Sequence, residues 1–160
     1  MKFYTVSNEY ISYLKTIDSK VPDNYSGTRP YVGILLEING HKYLAPLTSY
    51  KPKQDEIADN KITVFKLHEK GKPSNKLGMI SLNNMIPIIE SEISMIKFSE
   101  QNKKYATLLT SQINFISSNQ DDIVKKAEKL YKVVTVSKTE HFCKISCNFT
   151  LLEKNYKNFK

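Results

Sequence analysis

Apolar and polar positions alternate through the first hundred residues and then change period. Lys2 to Val6 (KFYTV) reads as an opening strand. Ser7 stands at an N-cap position ahead of Tyr10, Ile11, Leu14 and Ile17, whose spacing predicts one face of a helix. A polar loop over Ser19 to Pro30 holds Pro22, Tyr25, Gly27 and Pro30. Tyr31 to Ile38 (YVGILLEI) and His41 to Pro46 (HKYLAP) then flank Asn39-Gly40, the strongest short hairpin signal. Lys51 to Asn60 is polar and flap-like, and Gly71 to Asn75 marks a turn between strands Ile62 to Leu67 and Leu77 to Leu82. Met85 to Ile89 and Ile93 to Phe98 complete the strand-like runs, with Pro87 favouring an edge or bulge.

From Ser99 the helical period takes over. Tyr105, Leu108, Leu109, Gln112, Ile113 and Ile116 form one face; Asn119 to Asp122 breaks the pattern; Ile123, Ala127, Leu130, Tyr131 and Val134 form a second. Thr150 to Glu153 has the S/T-x-x-E form of a capping box before a short last helix. These elements predict one α+β domain over residues 1–160: short antiparallel strands in a small curled sheet or half-barrel, with helices gathered at the two ends of the chain.

Composition narrows the setting. With 40% hydrophobic and 25% charged residues among 160, the chain reads as a soluble globular protein. Its formal charge of +8 is uneven. Residues 1–100 carry 13 basic against 11 acidic side chains, and residues 101–160 carry 11 against 5, so the C-terminal part holds most of the field that attracts a polyanion. Every basic residue but Arg29 is lysine, which favours attraction to a phosphate backbone over base-edge readout of a duplex. No helix-turn-helix, zinc-finger or RNP signature is present. Cys143, Cys147 and His141 fit no standard zinc spacing and lack a fourth ligand, so free thiols, no metal and no cofactor are expected. No run approaches the ~18 apolar residues of a membrane helix, and no apolar leader opens the chain, which predicts a reduced cytoplasmic protein.

The hairpin organises the candidate chemistry. A two-residue loop sets Ile38 opposite His41, Leu36 opposite Tyr43 and Tyr31 opposite Thr48. Continued outward, this register brings Arg29 beside Ser49 and Tyr50, with Lys51 and Lys53 just beyond. Pro46 falls opposite Gly33 and cannot donate to the ladder, which marks a point for a bulge or sheet exit. Two adjacent hydroxyls with cations suit a phosphate.

Several enzymes are excluded. The five glycines are scattered and form no phosphate loop. Asp55 and Glu56 alone do not make a metal site. His41 lies eight positions from Ser49, roughly 26 Å along an extended strand, too far for a triad. Metal-free RNA cleavage fits, because RNA carries its own 2′-hydroxyl nucleophile. Thr48 and Ser49 would hold the scissile phosphate, Lys51 and Arg29 would neutralise its growing charge, and Lys51, crowded by Arg29 and Lys53, is the candidate for proton transfer. The expected ends are a 2′,3′-cyclic phosphate and a 5′-hydroxyl, and DNA should survive. Tyr10, Tyr25 and Tyr50 are the candidate stacking rings for single-stranded RNA. The alternative is a non-catalytic RNA-binding module using the same groove.

The opening MKFYTVSNEYISYLK, the block GILLEINGHKYLAPLTSYK, the piece FKLHEKGKPSNKLGMISLNNMIPIIE and the tail CNFTLLEKNY resemble the ToxN/AbiQ family. That family comprises endoribonuclease toxins of type III toxin–antitoxin and phage-abortive systems. The resemblance implies a MazF/Kid-like, strongly curved sheet with added helices and metal-independent, sequence-selective cleavage of cellular and phage RNA. It also implies a small RNA pseudoknot antitoxin, cut from a repeat precursor by the toxin and assembled with it into closed RNA–protein oligomers. The family's hydroxyl pair and lysine fall on Thr48, Ser49 and Lys51, its first-helix tyrosine on Tyr10, and its basic residue ahead of the hairpin on Arg29.

Overall fold

In the computed structural model, residues 1–23 and 31–160 are described; Tyr25 and Arg29, both expected at the site, lie outside the described residues. Strand β1 (Phe3–Val6) leads into helix α1 (Asn8–Ile17), where the Ser7 hydroxyl accepts from the Tyr10 amide as the cap pattern predicts. The hairpin is strands β2 (Tyr31–Ile38) and β3 (His41–Thr48). Asn39 (φ 52°) and Gly40 (φ 75°) both take left-handed conformations, as a type I′ turn requires. Ile38 faces His41 and Leu36 faces Tyr43, the register read from the sequence. A second hairpin, β4 (Val64–Glu69) and β5 (Lys72–Ser81), follows, then the short strands β6 (Ile86–Pro87) and β7 (Ile93–Met95).

The strands make one seven-stranded antiparallel sheet in the order β4-β5-β3-β2-β1-β7, with β6 alongside β3. The sheet is not closed. Helices α2 (Lys103–Ser118), α3 (Gln120–Thr135), α4 (Glu140–Ile145) and α5 (Phe149–Asn155) follow. α2 lies against β4 and β5, α3 against β2, and α5 against α1 and β6. Between sheet and helices sits a continuous core that includes fully buried Phe3, Tyr10, Leu14, Ile34, Tyr43, Leu44, Ile80 and Phe149. No helix among the described residues is long and apolar enough to cross a membrane.

Four local expectations are corrected. The turn expected over Gly71 to Asn75 contracts to Lys70-Gly71, and two register shifts between Leu67 and Glu69 absorb the remaining residues into β5. The polar flap over 51–60 contains a 3-10 turn, Pro52–Glu56, with Gln54 buried. Helix α5 begins earlier than the capping box predicts: Asn148 is its cap, accepting from the Leu151 amide, so Thr150 is already helical. Glu153 turns instead to the hairpin, where its carboxylate accepts from the Tyr43 hydroxyl at 2.5 Å and the Tyr131 hydroxyl at 2.8 Å. The fourth correction concerns β3 itself. Its ladder with β2 ends at Gly33 and Pro46, and Thr48 pairs with Met79 of β5, not with Tyr31. Ile38 and His41 flank the turn as a hydrogen-bonded pair, so Gly33 and Pro46 form a non-hydrogen-bonded pair, and the missing Pro46 N–H lies on the edge of β3 away from β2, the edge on which the Lys42 carbonyl accepts from the Ile88 amide.

Candidate functional site

Where β2 and β3 part, a groove of about 880 Å³ opens. Tyr31 and Val32 of β2, Pro46 and Leu47 of β3, and Met79 and Ser81 of β5 line it. Helix α2 supplies the facing wall with Tyr105, Leu108, Leu109 and Gln112. Asn102 caps that helix by accepting from the Tyr105 amide at 2.8 Å, which fixes the first turn of the wall. Gln112 is buried and donates to the Leu77 carbonyl at 2.8 Å, tying α2 to β5 behind the groove.

Thr48, Ser49, Lys51 and Lys53 all line the groove and are all exposed, so the structure brings together four of the residues chosen from sequence. Thr48 Oγ1 lies 3.5 Å from the Met79 carbonyl, a long contact that leaves the hydroxyl free to turn to a ligand. Among the described residues neither Lys51 nor Lys53 forms an ion pair. The arrangement therefore offers two hydroxyls and two ammonium groups on one flank, with Asp23 and Glu56 also in the lining, and an apolar wall carrying an aromatic ring on the other. A phosphodiester with its bases presents the same two chemistries.

Three unforeseen residues shape the groove and its flanks. Gln54 is buried, and its side-chain amide donates to the Ser49 carbonyl at 2.8 Å, while its backbone N–H donates to the Lys51 carbonyl at 2.9 Å. Gly78 of β5 has φ +112°, and a Cβ there would lie 2.1 Å from the Thr48 carbonyl oxygen. Tyr105 is the half-buried aromatic of the α2 wall, with its hydroxyl pKa raised by burial. Its helical spacing had placed it with the core face, and its position in the first turn leaves that face open. Gln112, a lone amide on an apolar face, was the visible signal for a wall that is not pure core.

Two expected stacking residues are elsewhere. Tyr10 is 0% exposed. Its hydroxyl donates to the Pro87 carbonyl at 2.6 Å, and its ring packs edge-on against Phe159 at 5.3 Å. It has no face to offer a base. Tyr50 is outside the groove lining: its hydroxyl donates to Asp55 at 2.7 Å, and the Lys76 ammonium sits 5.5 Å from its ring centroid. Lys76 also pairs with Asp55 at 2.8 Å. The Lys76 and then the Tyr50 hydrogen bonds hold the Asp55 carboxyl below its usual range, while the Asp55 bond raises both donors. Among the described residues, no group of three or more His, Cys, Asp or Glu is placed to hold a metal ion.

Fold and groove define a small α+β protein with a cleft that bears hydroxyls and lysines, and comparison with known proteins gives the class. Residues 2–157 match the family described as toxin ToxN of type III toxin–antitoxin systems. The chain is 44% identical to the endoribonuclease ToxN of Pectobacterium atrosepticum over 99% of its own length and 94% of that protein's. It is 33% identical to the endoribonuclease AbiQ of Lactococcus lactis, over 96% of its length and 86% of that protein's. A solved structure from a bacterial antiviral system regulated by a processed non-coding RNA superposes with a TM-score of 0.89 at 42% identity, covering 99% of both chains. Another, of a type III system with toxin inhibition by a non-coding RNA pseudoknot, gives 0.84 at 37% identity, covering 99% of this chain and 96% of that one. This chain belongs to the ToxN family of type III toxin–antitoxin toxins.

Proposed function

We propose that this chain is an endoribonuclease that cuts single-stranded RNA without a metal ion. The 2′-hydroxyl of the substrate gives up its proton as its oxygen attacks the adjacent phosphorus, the bond to the 5′-oxygen breaks, and that oxygen takes up a proton as it leaves. The products are a 2′,3′-cyclic phosphate and a 5′-hydroxyl. Thr48 and Ser49 hold the phosphate in line, and Lys51 stabilises charge on its non-bridging oxygens. Arg29 is the second cation of this reading, and Lys53 and Tyr25 extend it along the strand. Tyr105 takes the stacking role once assigned to Tyr10 and Tyr50.

The observation that carries the proposal is the convergence on one groove of both hydroxyls with Lys51 and Lys53, which form no ion pair among the described residues. Asp55, the acid next in sequence, is occupied by Lys76 and Tyr50, which favours a mechanism that does not recruit it to a metal. The names of the relatives support RNA cleavage, and the pseudoknot-inhibited neighbour supports a small RNA antitoxin as partner here. We place that RNA in the same groove, with the C-terminal lysines around its backbone. A closed RNA–protein oligomer, a single domain over residues 1–160, a MazF/Kid-like half-barrel curvature and a cytoplasmic setting belong to this reading.

The test is cleavage of RNA and of matched DNA in EDTA. Ser49→Ala and Lys51→Ala should lose cleavage by about 10²-fold or more while retaining most RNA affinity. Loss of affinity and cleavage in equal small measure would favour a non-catalytic binder, and consumption of DNA or a metal requirement would refute the mechanism.

A further inference from the structure

The Thr48–Lys51 segment is held from both sides by the turn that follows it. On the groove side, buried Gln54 donates through its side chain to the Ser49 carbonyl, and its N–H donates to the Lys51 carbonyl. On the outer side, the neighbouring Asp55 accepts from the Tyr50 hydroxyl at 2.7 Å and pairs with Lys76 of β5 at 2.8 Å, whose ammonium lies 5.5 Å from the Tyr50 ring centroid. Successive residues Ser49, Tyr50 and Lys51 are thus each gripped through a different atom. Pro52 opens the turn with its φ preset, bringing Gln54 and Asp55 to opposite sides.

We propose that Gln54, together with the Tyr50–Asp55–Lys76 cluster, is a clasp that positions the Ser49 hydroxyl and the Lys51 ammonium for RNA cleavage. These are positioning residues: Tyr50, Asp55 and Lys76 do not line the groove, and Gln54 acts through the Ser49 and Lys51 main chain. The proposal rests on the nuclease reading above and deepens it. Its physical basis is the steep dependence of an in-line displacement on alignment, whereby a shift of about 1 Å costs about 10²-fold in rate. The outer ion pair is solvent-exposed, so its removal has little effect on folding. That separates positioning from stability.

The experiment compares wild type, Gln54→Ala, Lys76→Ala and Lys76→Arg by steady-state cleavage of one RNA and by amide exchange of the peptide spanning 47–56. Gln54→Ala should lower kcat about 10- to 100-fold with KM nearly unchanged, and speed exchange in that peptide. Lys76→Ala should lower kcat several-fold, and Lys76→Arg, which keeps the pairing with Asp55, should restore it. A cleaving wild type whose variants match it in kcat sinks the clasp alone, as does a loss confined to KM or equal to the loss of folded protein. A wild type inert towards every RNA tried sinks the nuclease reading, and the catalytic role of the clasp with it.

Discussion

Replacing Gly78 by alanine tests whether the fold and the site are coupled through the backbone of β5. The new Cβ would sit 2.1 Å from the Thr48 carbonyl oxygen and 3.2 Å from the Tyr50 nitrogen. Carbon and oxygen cannot approach below about 3 Å, so the β3–β5 contact must open by about 1 Å. Three costs combine. The left-handed φ of +112° costs an alanine about 1–3 kcal/mol. Loosening the pairing of Leu47 with Ile80 and Thr48 with Met79 adds about 1 kcal/mol for each hydrogen bond weakened. The displaced Thr48 main chain carries the hydroxyl pair with it, which predicts a loss of about 10²-fold in cleavage. Gly71 is the internal comparison, because it also has a positive φ (+80°) but nothing lies within 4 Å of its Cβ position. Gly71→Ala should therefore show only backbone strain, about 1–2 kcal/mol, and cleave at the wild-type rate per folded molecule. Urea unfolding gives the stability difference, and single-turnover cleavage under folded conditions gives the rate. If the two variants are equally stable and equally active, the close approach at Gly78 does not set the site, and the reasoning fails.

Other outcomes can be checked with simple assays. Glu153→Gln should lower stability by about 1–2 kcal/mol in urea, since the Tyr43 and Tyr131 hydroxyls lose a charged acceptor, while cleavage per folded molecule stays at the wild-type level. Burial pushes the Cys147 thiol up to about 12, so iodoacetamide at pH 8 should label Cys143 in the native protein and both thiols only after unfolding, as mass spectrometry of tryptic peptides would show. Burial and then the Glu153 bond raise Tyr131 to about 12, and burial also raises Tyr43. For these groups and Cys147 the folded state keeps protons that the unfolded chain releases. Stability should hold below about pH 9 and fall as pH rises from 9 towards 12; a flat melting temperature across that window would contradict the burial argument. Tyr105→Ala should weaken binding of single-stranded RNA by about 1–3 kcal/mol, whereas Tyr105→Phe, which keeps the ring, should bind like wild type in a fluorescence titration.

What the chain reveals on reading, and what it hides, divides along physical lines. Short-range rules suffice for the first helix, the Asn39-Gly40 turn and the register near it, because a cap, a positive-φ dipeptide and period-two alternation act within a few residues. They also suffice to pick out Thr48, Ser49, Lys51 and Lys53, which the structure brings to one groove. They fail for Tyr10 and Tyr50, whose fates depend on partners far away in sequence: Pro87 and Phe159 for the one, Lys76 for the other. Glu153 has the same history. It has the spacing of a capping residue, yet a buried tyrosine hydroxyl more than a hundred positions away is the more demanding partner. The role of Gly78 is invisible before the sheet order is known, since only pairing with β3 brings Thr48 against it.

Pro46 connects the two levels. A proline opposite Gly33 reads locally as a weak point in a hairpin, an argument against trusting the register beyond it. In the folded protein the paired register of β2 and β3 ends at this residue, and Leu47 and Thr48 pair on the other edge of β3 with Ile80 and Met79 of β5. Residues from both strand ends, Tyr31 and Val32 of β2 and Leu47 and Thr48 of β3, line the groove, and Ser49, Lys51 and Lys53 follow in the same lining. The end of the hairpin ladder thus coincides with the candidate site, and Thr48 and the residues after it enter the groove where β3 changes partner from β2 to β5.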